Sequence, residues 1–315
     1  MDFQIRAFAP EDYPRLVAIR NIVFPEYAST EDEQRYWDEH RDPAHKHRRW
    51  VAEHEGEVVA VAEYGQSFDQ YHPRKFWIYG AVHPDFQHQG IGSALYEQVI
   101  EGLRQYDPIS LRVELREDRS SSIRFMETRG FRDVWRSWES RLDVTTFDPT
   151  PYAGLEEKLR AQGIEIKNLK ELEDDPERNH KLNEMDNELV RDIPSFEEIT
   201  PLSYEGYMEI LLNNPQLVPE AFFVAVHNGE YIGRTSLWVS EASPILTNNL
   251  TGVKRPYRHR RIALALKLRG IAYAKERGYP KIKTWNDAPN KAMISINERL
   301  GFVREVGWIT LLREF

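Results

Sequence analysis

A glycine-containing segment in the first half of the chain has the residue types and spacing of a phosphate-binding loop. It leads from a β-branched stretch into an amphipathic helix. Backbone N–H groups at a helix N-terminus converge on one point, the helix dipole adds positive potential, and glycine permits close approach. The pattern predicts a pyrophosphate site or, alternatively, a strand-to-helix turn without a ligand. The candidate binding residues are Val82, Gln87, His88, Gln89, Gly90, Ile91, Gly92 and Ser93.

The chain contains an internal repeat at a spacing of about 170 residues, far longer than a solenoid period. Val82 corresponds to Val253, and Gly130 corresponds to Gly301. A repeat of this length predicts a duplicated domain. Because turn-forming residues cluster at Asp148–Pro151, the predicted division is residues 1–147, a linker and lead-in helix at 148–163, and residues 164–315.

Apolar periodicity predicts the same order of elements in each half: strand, helix, hairpin, strand, helix, strand, helix, strand. β-branched residues flank the glycine turn around Gly56, as in a hairpin. Ile91, Leu95, Val99 and Leu103 recur along one helix face. The predicted class is α+β, with two tandem domains that each contain a mixed, mostly antiparallel sheet flanked by helices.

The loop motif resembles that of a known family. Gln87-x-x-Gly90-x-Gly92 after Val82 is similar to the acyl-CoA-binding motif of the GNAT superfamily of N-acyltransferases, written Arg/Gln-x-x-Gly-x-Gly/Ala. Gly130 with the following phenylalanine resembles the end of that family's fourth helix. The resemblance covers nearly the whole chain, which therefore resembles a tandem GNAT protein. It implies an N-acetyltransferase with acetyl-CoA as co-substrate, a small-molecule amine as acceptor and no metal.

The second half departs from the family motif where Arg261 replaces the glycine equivalent to Gly90. The basic residues around it are expected either to contact phosphates or to form a solvated loop. The resemblance implies a second set of cofactor-binding residues, which are Val253, Arg258, Arg260, Arg261, Ala263 and Asn290.

Neither half has the tyrosine that this family uses to protonate the departing thiolate. Met126 and Asn297 stand at the two matching positions. We therefore expect release through water or directly, or an acid recruited from elsewhere, such as Tyr79 or Tyr257. The reaction still requires an unprotonated amine, obtained through a carboxylate or a water chain. The candidate catalytic carboxylates are Glu63 and Glu114 in the first half and Asp287 in the second.

The amino-acid composition limits the kinds of partner and site that we expect for this protein. The chain has no cysteine, which excludes disulfides and thiolate metal sites and is compatible with a reducing cytoplasm. The formal net charge of -9 lies almost entirely in residues 1–150, so general nucleic-acid binding is not expected. No stretch approaches the ~20 apolar residues of a membrane span. We expect a cytoplasmic protein without a membrane partner, either a monomer with pseudo-dimeric domains or a homodimer.

Three functional allocations remain open from the sequence. In the first, the first half is the better acyl-CoA site, because it keeps both glycines of the motif. In the second, the second half performs the chemistry, since it keeps Asn290 and a less acidic composition. The third is a non-catalytic CoA-binding or scaffold protein with degenerate GNAT domains, which the two missing tyrosines favour.

Overall fold

The computed structural model describes residues 2–315, whose contacts divide them into two compact units. The first unit comprises the chain up to Arg136 together with Trp308–Phe315. The second unit comprises Ser137–Gly307. The units are therefore not two continuous halves of the chain. The predicted boundary at 148–163 remains a prediction about the sequence repeat.

The first unit contains the predicted sequence of elements. These are β1 (Gln4–Ala7), α1 (Tyr13–Val23), α2 (Glu31–Glu39), β2 (His47–His54), β3 (Glu57–Gly65), β4 (Lys75–Val82), α3 (Ile91–Leu103), β5 (Ser110–Arg116) and α4 (Ser120–Glu127). Strands β1 to β4 are antiparallel neighbours in chain order, and β4 and β5 are parallel. Strand β6 (Arg132–Asp143) begins in this unit and belongs to the second from Ser137 onward.

The second unit repeats this order. Its elements are α5 (Leu155–Arg160), β7 (Ile164–Asn168), α6 (Arg178–Val190), α7 (Tyr204–Tyr207), β8 (Leu217–His227), β9 (Glu230–Ser240), β10 (Ser243–Val253), α8 (Ile262–Glu276), β11 (Lys281–Asp287) and α9 (Lys291–Arg299). Strand β12 (Val303–Glu314) begins in this unit and belongs to the first from Trp308 onward. Strands β7 to β10 are antiparallel neighbours, and β10 and β11 are parallel. The predicted class, with a mixed and mostly antiparallel sheet in each unit, is confirmed.

The terminal strands of the two repeats are exchanged. In the first unit, β5 pairs antiparallel with β12 from the far end of the chain, with Arg116 opposite Trp308. In the second unit, β11 pairs antiparallel with β6 from the first repeat, with Asp287 opposite Ser137. The two registers match repeat for repeat. Each sheet therefore contains one strand that the other half of the sequence supplies.

Helix α3 covers one face of the first unit's sheet, and α1 covers the other. Leu95 and Leu103 of α3 lie in a core with Leu311, a residue of β12 that is 0% exposed. Leu16 and Ile19 of α1 pack in a separate apolar cluster. In the second unit, α8 occupies the place of α3. Among residues 2–315, no helix combines the length and apolar character that crossing a membrane requires.

The exchanged strand generates a test of the fold. Replacing Leu311 with alanine leaves a cavity in the first unit's core, so we expect a loss of about 2–4 kcal/mol in the free energy of unfolding, measured by chemical denaturation. Hydrogen exchange should accelerate in β5, which lies far from residue 311 in sequence. Faster exchange confined to residues 164–307 would contradict the strand assignment.

Candidate functional site

The loop after β4 has the backbone geometry of an anion-binding site. The Gln87 side chain donates from Nε2 to the Val82 carbonyl at 3.0 Å, which braces the loop against the end of the strand. His88 and Gly90 have φ values of 63° and 86°, and helix α3 begins directly after Gly90. A Cβ at Gly90 would meet nothing within 4 Å, so the space beside this residue is open. The first N–H groups of α3 have no partner within the helix, as at any helix N-terminus.

The remaining predicted residues of this loop have different surroundings. Ile91 is 1% exposed and anchors the start of α3 in the core. Ser93 accepts a hydrogen bond from Arg129 Nη2 at 2.9 Å, and Gln89 Nε2 donates to the Asp85 carbonyl at 3.1 Å. Gly92 places its Cα beside Val82, because a Cβ there would lie 3.7 Å from Val82 Cγ2. These residues shape the loop, whose exposed tip comprises residues 87–90.

The equivalent loop of the second unit keeps the same backbone without the glycine. Arg258 Nε donates to the Val253 carbonyl at 2.9 Å, as Gln87 does to Val82. His259 and Arg261 have φ values of 62° and 63°, and α8 begins after Arg261. A left-handed conformation costs a non-glycine residue about 1–2 kcal/mol. The backbone is therefore retained at a cost, with the exposed Arg261 side chain at the position where the first loop is open.

Acidic and amide groups already bind most basic side chains of the second loop. Asp192 pairs with both Arg255 and Arg258. Lys254 is also paired, because its Nζ lies 2.9 Å from Glu230 Oε1. Other contacts are Arg260 Nη2 to Gln162 Oε1 at 2.8 Å and the Asn290 side chain accepting from the Met293 amide, which caps α9. Within the described part of the chain, the Arg261 side chain has no ion pair or hydrogen bond, although its carbonyl accepts the Ala265 amide at 3.0 Å. Ala263 is half-buried.

A slot opens in the first unit where β4 and β5 separate. Their backbones pair only from Lys75–Trp77 to Ser110–Arg112, although both strands continue further. Gly80 lies in the part of β4 that does not pair with β5, and it is exposed although it stands in the middle of the strand. It shares the α3 face with Phe76 and Ile78, and its nearest neighbour would lie 3.6 Å from an added Cβ. A glycine inside a strand often marks a place where a ligand or another backbone approaches closely.

Polar side chains fill the corresponding slot of the second unit. The register places Thr251 at the position of Gly80, because Gly80 pairs with Ala62 on β3 as Thr251 pairs with Thr235 on β9. The hydroxyls of Thr251 and Thr235 lie 2.7 Å apart, and Asn248 Nδ2 donates to Thr235 Oγ1 at 3.1 Å. Strand β10 also contains a register shift between Asn248 and Thr251 that β4 lacks.

A buried lysine completes this polar cluster. Lys267 of α8 is 4% exposed, its Nζ donates to Asn248 Oδ1, and the Phe302 ring lies 5.3 Å away. Burial lowers the pKa of Lys267 to about 7, and no carboxylate within residues 2–315 opposes this effect. Thr284 Oγ1 of β11 donates to the Asn248 carbonyl at 3.4 Å and so bridges the two separating strands. Side chains of the second unit therefore fill its slot between β10 and β11.

Of the three predicted catalytic carboxylates, Glu63 is buried among basic side chains. It is 3% exposed, and its carboxylate lies 2.7 Å from Arg49, 3.0 Å from His47 Nε2 and 3.7 Å from Arg20. Burial acts to raise the pKa of Glu63, but Arg49, His47 and Arg20 outweigh it and hold that pKa well below its usual range. Glu63 is therefore a weak base whose charge organises its neighbours. Asp38 extends the network by pairing with Arg49 at 2.7 Å.

The other two carboxylates lie apart from Glu63. Glu114 is exposed on β5, opposite Thr310 of β12. Because Leu111 and Val113 pack in the α3 core, alternation places Glu114 on the opposite, α1-facing side of the sheet. Asp287 ends β11 in the second unit, half-buried, and its carbonyl accepts the Asn290 amide at 2.9 Å. The structure brings Glu63 and Glu114 to one face of one sheet and leaves Asp287 in the other unit.

The position of the missing family tyrosine is half-buried in the first unit and buried in the second. Met126 packs against the first unit's core. Asn297 is 2% exposed and donates from Nδ2 to Asn286 Oδ1 at 2.6 Å. Of the two alternative tyrosines, Tyr257 is engaged, since its hydroxyl donates to Glu230 Oε2 at 2.9 Å. The other alternative tyrosine, Tyr79 of β4, is left as a candidate.

Sequence reasoning missed Gly80 and Lys267. The signal for Gly80 was a glycine inside an apolar strand, which often marks the close approach of a ligand. The signal for Lys267 was a charged residue on the apolar face of the α8 helix. Within residues 2–315, no group of three or more His, Asp or Glu side chains is arranged to hold a metal ion.

Comparison with known proteins identifies the family. A family model described as the acetyltransferase (GNAT) family matches residues 14–131 and 182–302, together more than half of the chain. This chain belongs to the GNAT family of acetyltransferases. The two matched regions are the two repeats, so the protein is a tandem GNAT acetyltransferase.

Individual relatives of this tandem GNAT protein are distant. It is 25% identical over 239 residues to a mycothiol acetyltransferase from Thermobifida fusca, covering 70% of this chain and 69% of the relative. A tandem GNAT protein from the clavulanic acid biosynthesis pathway superposes with a TM-score of 0.79 at 18% identity, covering 99% and 98% of the two chains. A GCN5-related N-acetyltransferase from Sphaerobacter thermophilus gives 0.71 at 21% identity, covering 99% and 95%. The two structures show a shared fold.

Lys267 yields a stability prediction with a definite sign. Its pKa is lower in the folded protein than in the unfolded chain, so between pH 7 and about 10 the unfolded state binds more protons and stability rises with pH. We expect Lys267→Met to be more stable than wild type at pH 7 by about 1–3 kcal/mol, and the difference to shrink as the pH approaches 10. Exposed Lys281→Met is the control. Denaturant unfolding at several pH values provides the measurement, and a gap independent of pH would contradict an uncompensated Lys267.

Proposed function

We propose that the protein is an acetyl-CoA-dependent N-acetyltransferase that acetylates a small-molecule amine, with the first unit holding the acetyl-CoA. One observation carries the allocation. The slot between β4 and β5 is open at Gly80 and ends at the accessible loop before α3, whereas Thr251, Asn248 and Lys267 occupy the corresponding slot. The pyrophosphate fits the amides after Gly90, and the pantetheine arm fits the space beside Gly80.

The residues of the first unit then divide the work of acetyl transfer. Backbone groups of β4 beyond Trp77 have no partner on β5, so they can hydrogen-bond the pantetheine amides and the thioester carbonyl. The amine nitrogen attacks the thioester carbon, the C–N bond forms, and the C–S bond breaks with its electron pair on sulfur. Holding the two reactants at one strand supplies much of the rate.

Proton transfer in this proposal uses Glu114, directly or through water. It lies on the α1-facing side of β5, and unlike Glu63 it is exposed. The amine loses its proton toward that carboxylate, and the thiolate takes a proton from water, because Met126 and Asn297 carry no acidic proton. Asp287 has the corresponding part in the alternative allocation, in which the second unit performs the chemistry. The retained left-handed backbone at Arg261 favours that alternative.

The same proposal extends to the setting of the protein. We propose a cytoplasmic enzyme, a monomer with pseudo-dimeric domains or a homodimer, without nucleic-acid or membrane partners. The absence of cysteine and the net charge of -9 support this assignment.

Thiol release from acetyl-CoA tests the enzyme class. We expect free CoA to appear only when a primary amine is added, together with the acetylated amine detected by mass spectrometry. Calorimetric binding of CoA without turnover of any amine would instead support the non-catalytic scaffold. Turnover that Glu114→Gln leaves unchanged and Asp287→Asn abolishes would move the chemistry to the second unit.

Filling the proposed slot should block the cofactor. Valine suits a strand, and the Cβ at Gly80 has ordinary van der Waals room, so Gly80→Val should fold. We expect its KM for acetyl-CoA to rise at least tenfold, because the added methyl groups occupy the place of the pantetheine arm. The matched control is Thr251→Val, the same residue at the same strand position of the second unit. Equal effects of both variants on KM would contradict the allocation.

A further inference from the structure

We propose that the Tyr79 hydroxyl is the group of the first unit that hydrogen-bonds the acceptor amine. The inference rests on the proposed function and deepens it, since it names a contact for the second substrate. Tyr79 lies on β4 two residues beyond Trp77, the last residue of that strand paired with β5. It is therefore next to the point where the slot begins.

The two faces of β4 separate the two substrates. Gly80 faces α3, the side of the loop and the proposed cofactor arm. Tyr79 faces α1, where the Arg20 guanidinium lies 4.4 Å from its ring centroid and the Phe24 ring 6.0 Å away. Adjacent residues of one strand point to opposite faces. A thioester held at Gly80 and an amine held at Tyr79 thus approach each other through the gap between β4 and β5.

The hydroxyl of Tyr79 lacks a partner. Its oxygen is buried and makes no hydrogen bond within residues 2–315. Tyr13 on the same face is different, because its hydroxyl donates to Asp38 Oδ2 at 2.8 Å. A buried polar group left unpaired destabilises the protein. Such a group at the edge of an open slot is explained by a partner that arrives with a ligand.

The charges around Tyr79 favour a neutral amine. Glu63, its cross-strand neighbour, is already paired with Arg49 and Arg20 and contacts His47. The Arg20 guanidinium over the ring disfavours an ammonium ion beside it. Burial raises the pKa of Tyr79 to about 12, with Arg20 opposing and Glu63 reinforcing the shift, so the phenol stays protonated at neutral pH. The free amine donates one N–H to the Tyr79 oxygen and keeps its lone pair for the thioester carbon.

Tyr79→Phe separates ligand binding from a structural role. Removing an unpaired buried hydroxyl should leave the Tm unchanged or raise it, whereas Tyr13→Phe removes a formed hydrogen bond and should lower it. In calorimetric titrations of the CoA-bound protein with benzylamine, tyramine, ethanolamine and glucosamine, we expect Tyr79→Phe to weaken the tightest amine at least tenfold. The affinity for CoA should change less than twofold.

The outcomes separate this proposal from the proposed function. Unchanged amine affinity in Tyr79→Phe, or binding of none of the four amines by wild type, overturns the role of Tyr79. Amine binding that depends on Tyr79 without any release of CoA from acetyl-CoA overturns the enzyme assignment and leaves the contact standing. A lower Tm in Tyr79→Phe, matching that of Tyr13→Phe, would show that the hydroxyl is structurally bonded and would also overturn the proposal.

Discussion

The separation of two parallel strands is the constraint on which the rest of this structure depends. In each unit the parallel pair forms only three backbone pairings before the strands diverge. Beyond that point the backbone groups that face the gap have no strand partner, although each strand stays paired on its other edge, and buried backbone groups require a partner. A ligand, water or side chains must fill the gap. What fills it is the main difference between the two units.

In the second unit the gap is filled by the protein itself. Thr251 stands in place of the glycine and contacts Thr235. Asn248 and Thr284 bridge the two strands, and the buried Lys267 completes the cluster. Burying Lys267 without a carboxylate costs stability. In the first unit, Gly80 leaves the gap open, and the charges on the opposite face are paired among Glu63, Arg49 and Asp38. Duplication thus yields one open and one closed version of the same fold.

The sequence predicted what local residues determine and missed what depends on distant contacts. Gln87 and Gly90 predicted the loop because their spacing controls a short strand-to-helix connection, and Arg258 repeats its brace. The strand exchange could not be predicted, since β6 and β12 occupy equivalent positions in the two repeats and both fit either sheet. Glu63 was a reasonable choice of base from its strand, but the basic side chains around it come from two other elements, His47 and Arg49 from β2 and Arg20 from α1. The role of Lys267 on α8 depends on its contact with Asn248, which lies on a different element, strand β10.

Calorimetric titration of the wild-type protein with acetyl-CoA tests the central claim most directly, because it counts the open slots. An open first unit and a closed second unit predict one site per chain, and a protein with both changes, Thr251→Gly and Lys267→Met, should gain a second. Two equivalent sites in the wild-type protein would contradict the account, since they would mean that the polar cluster around Lys267 does not close the second slot.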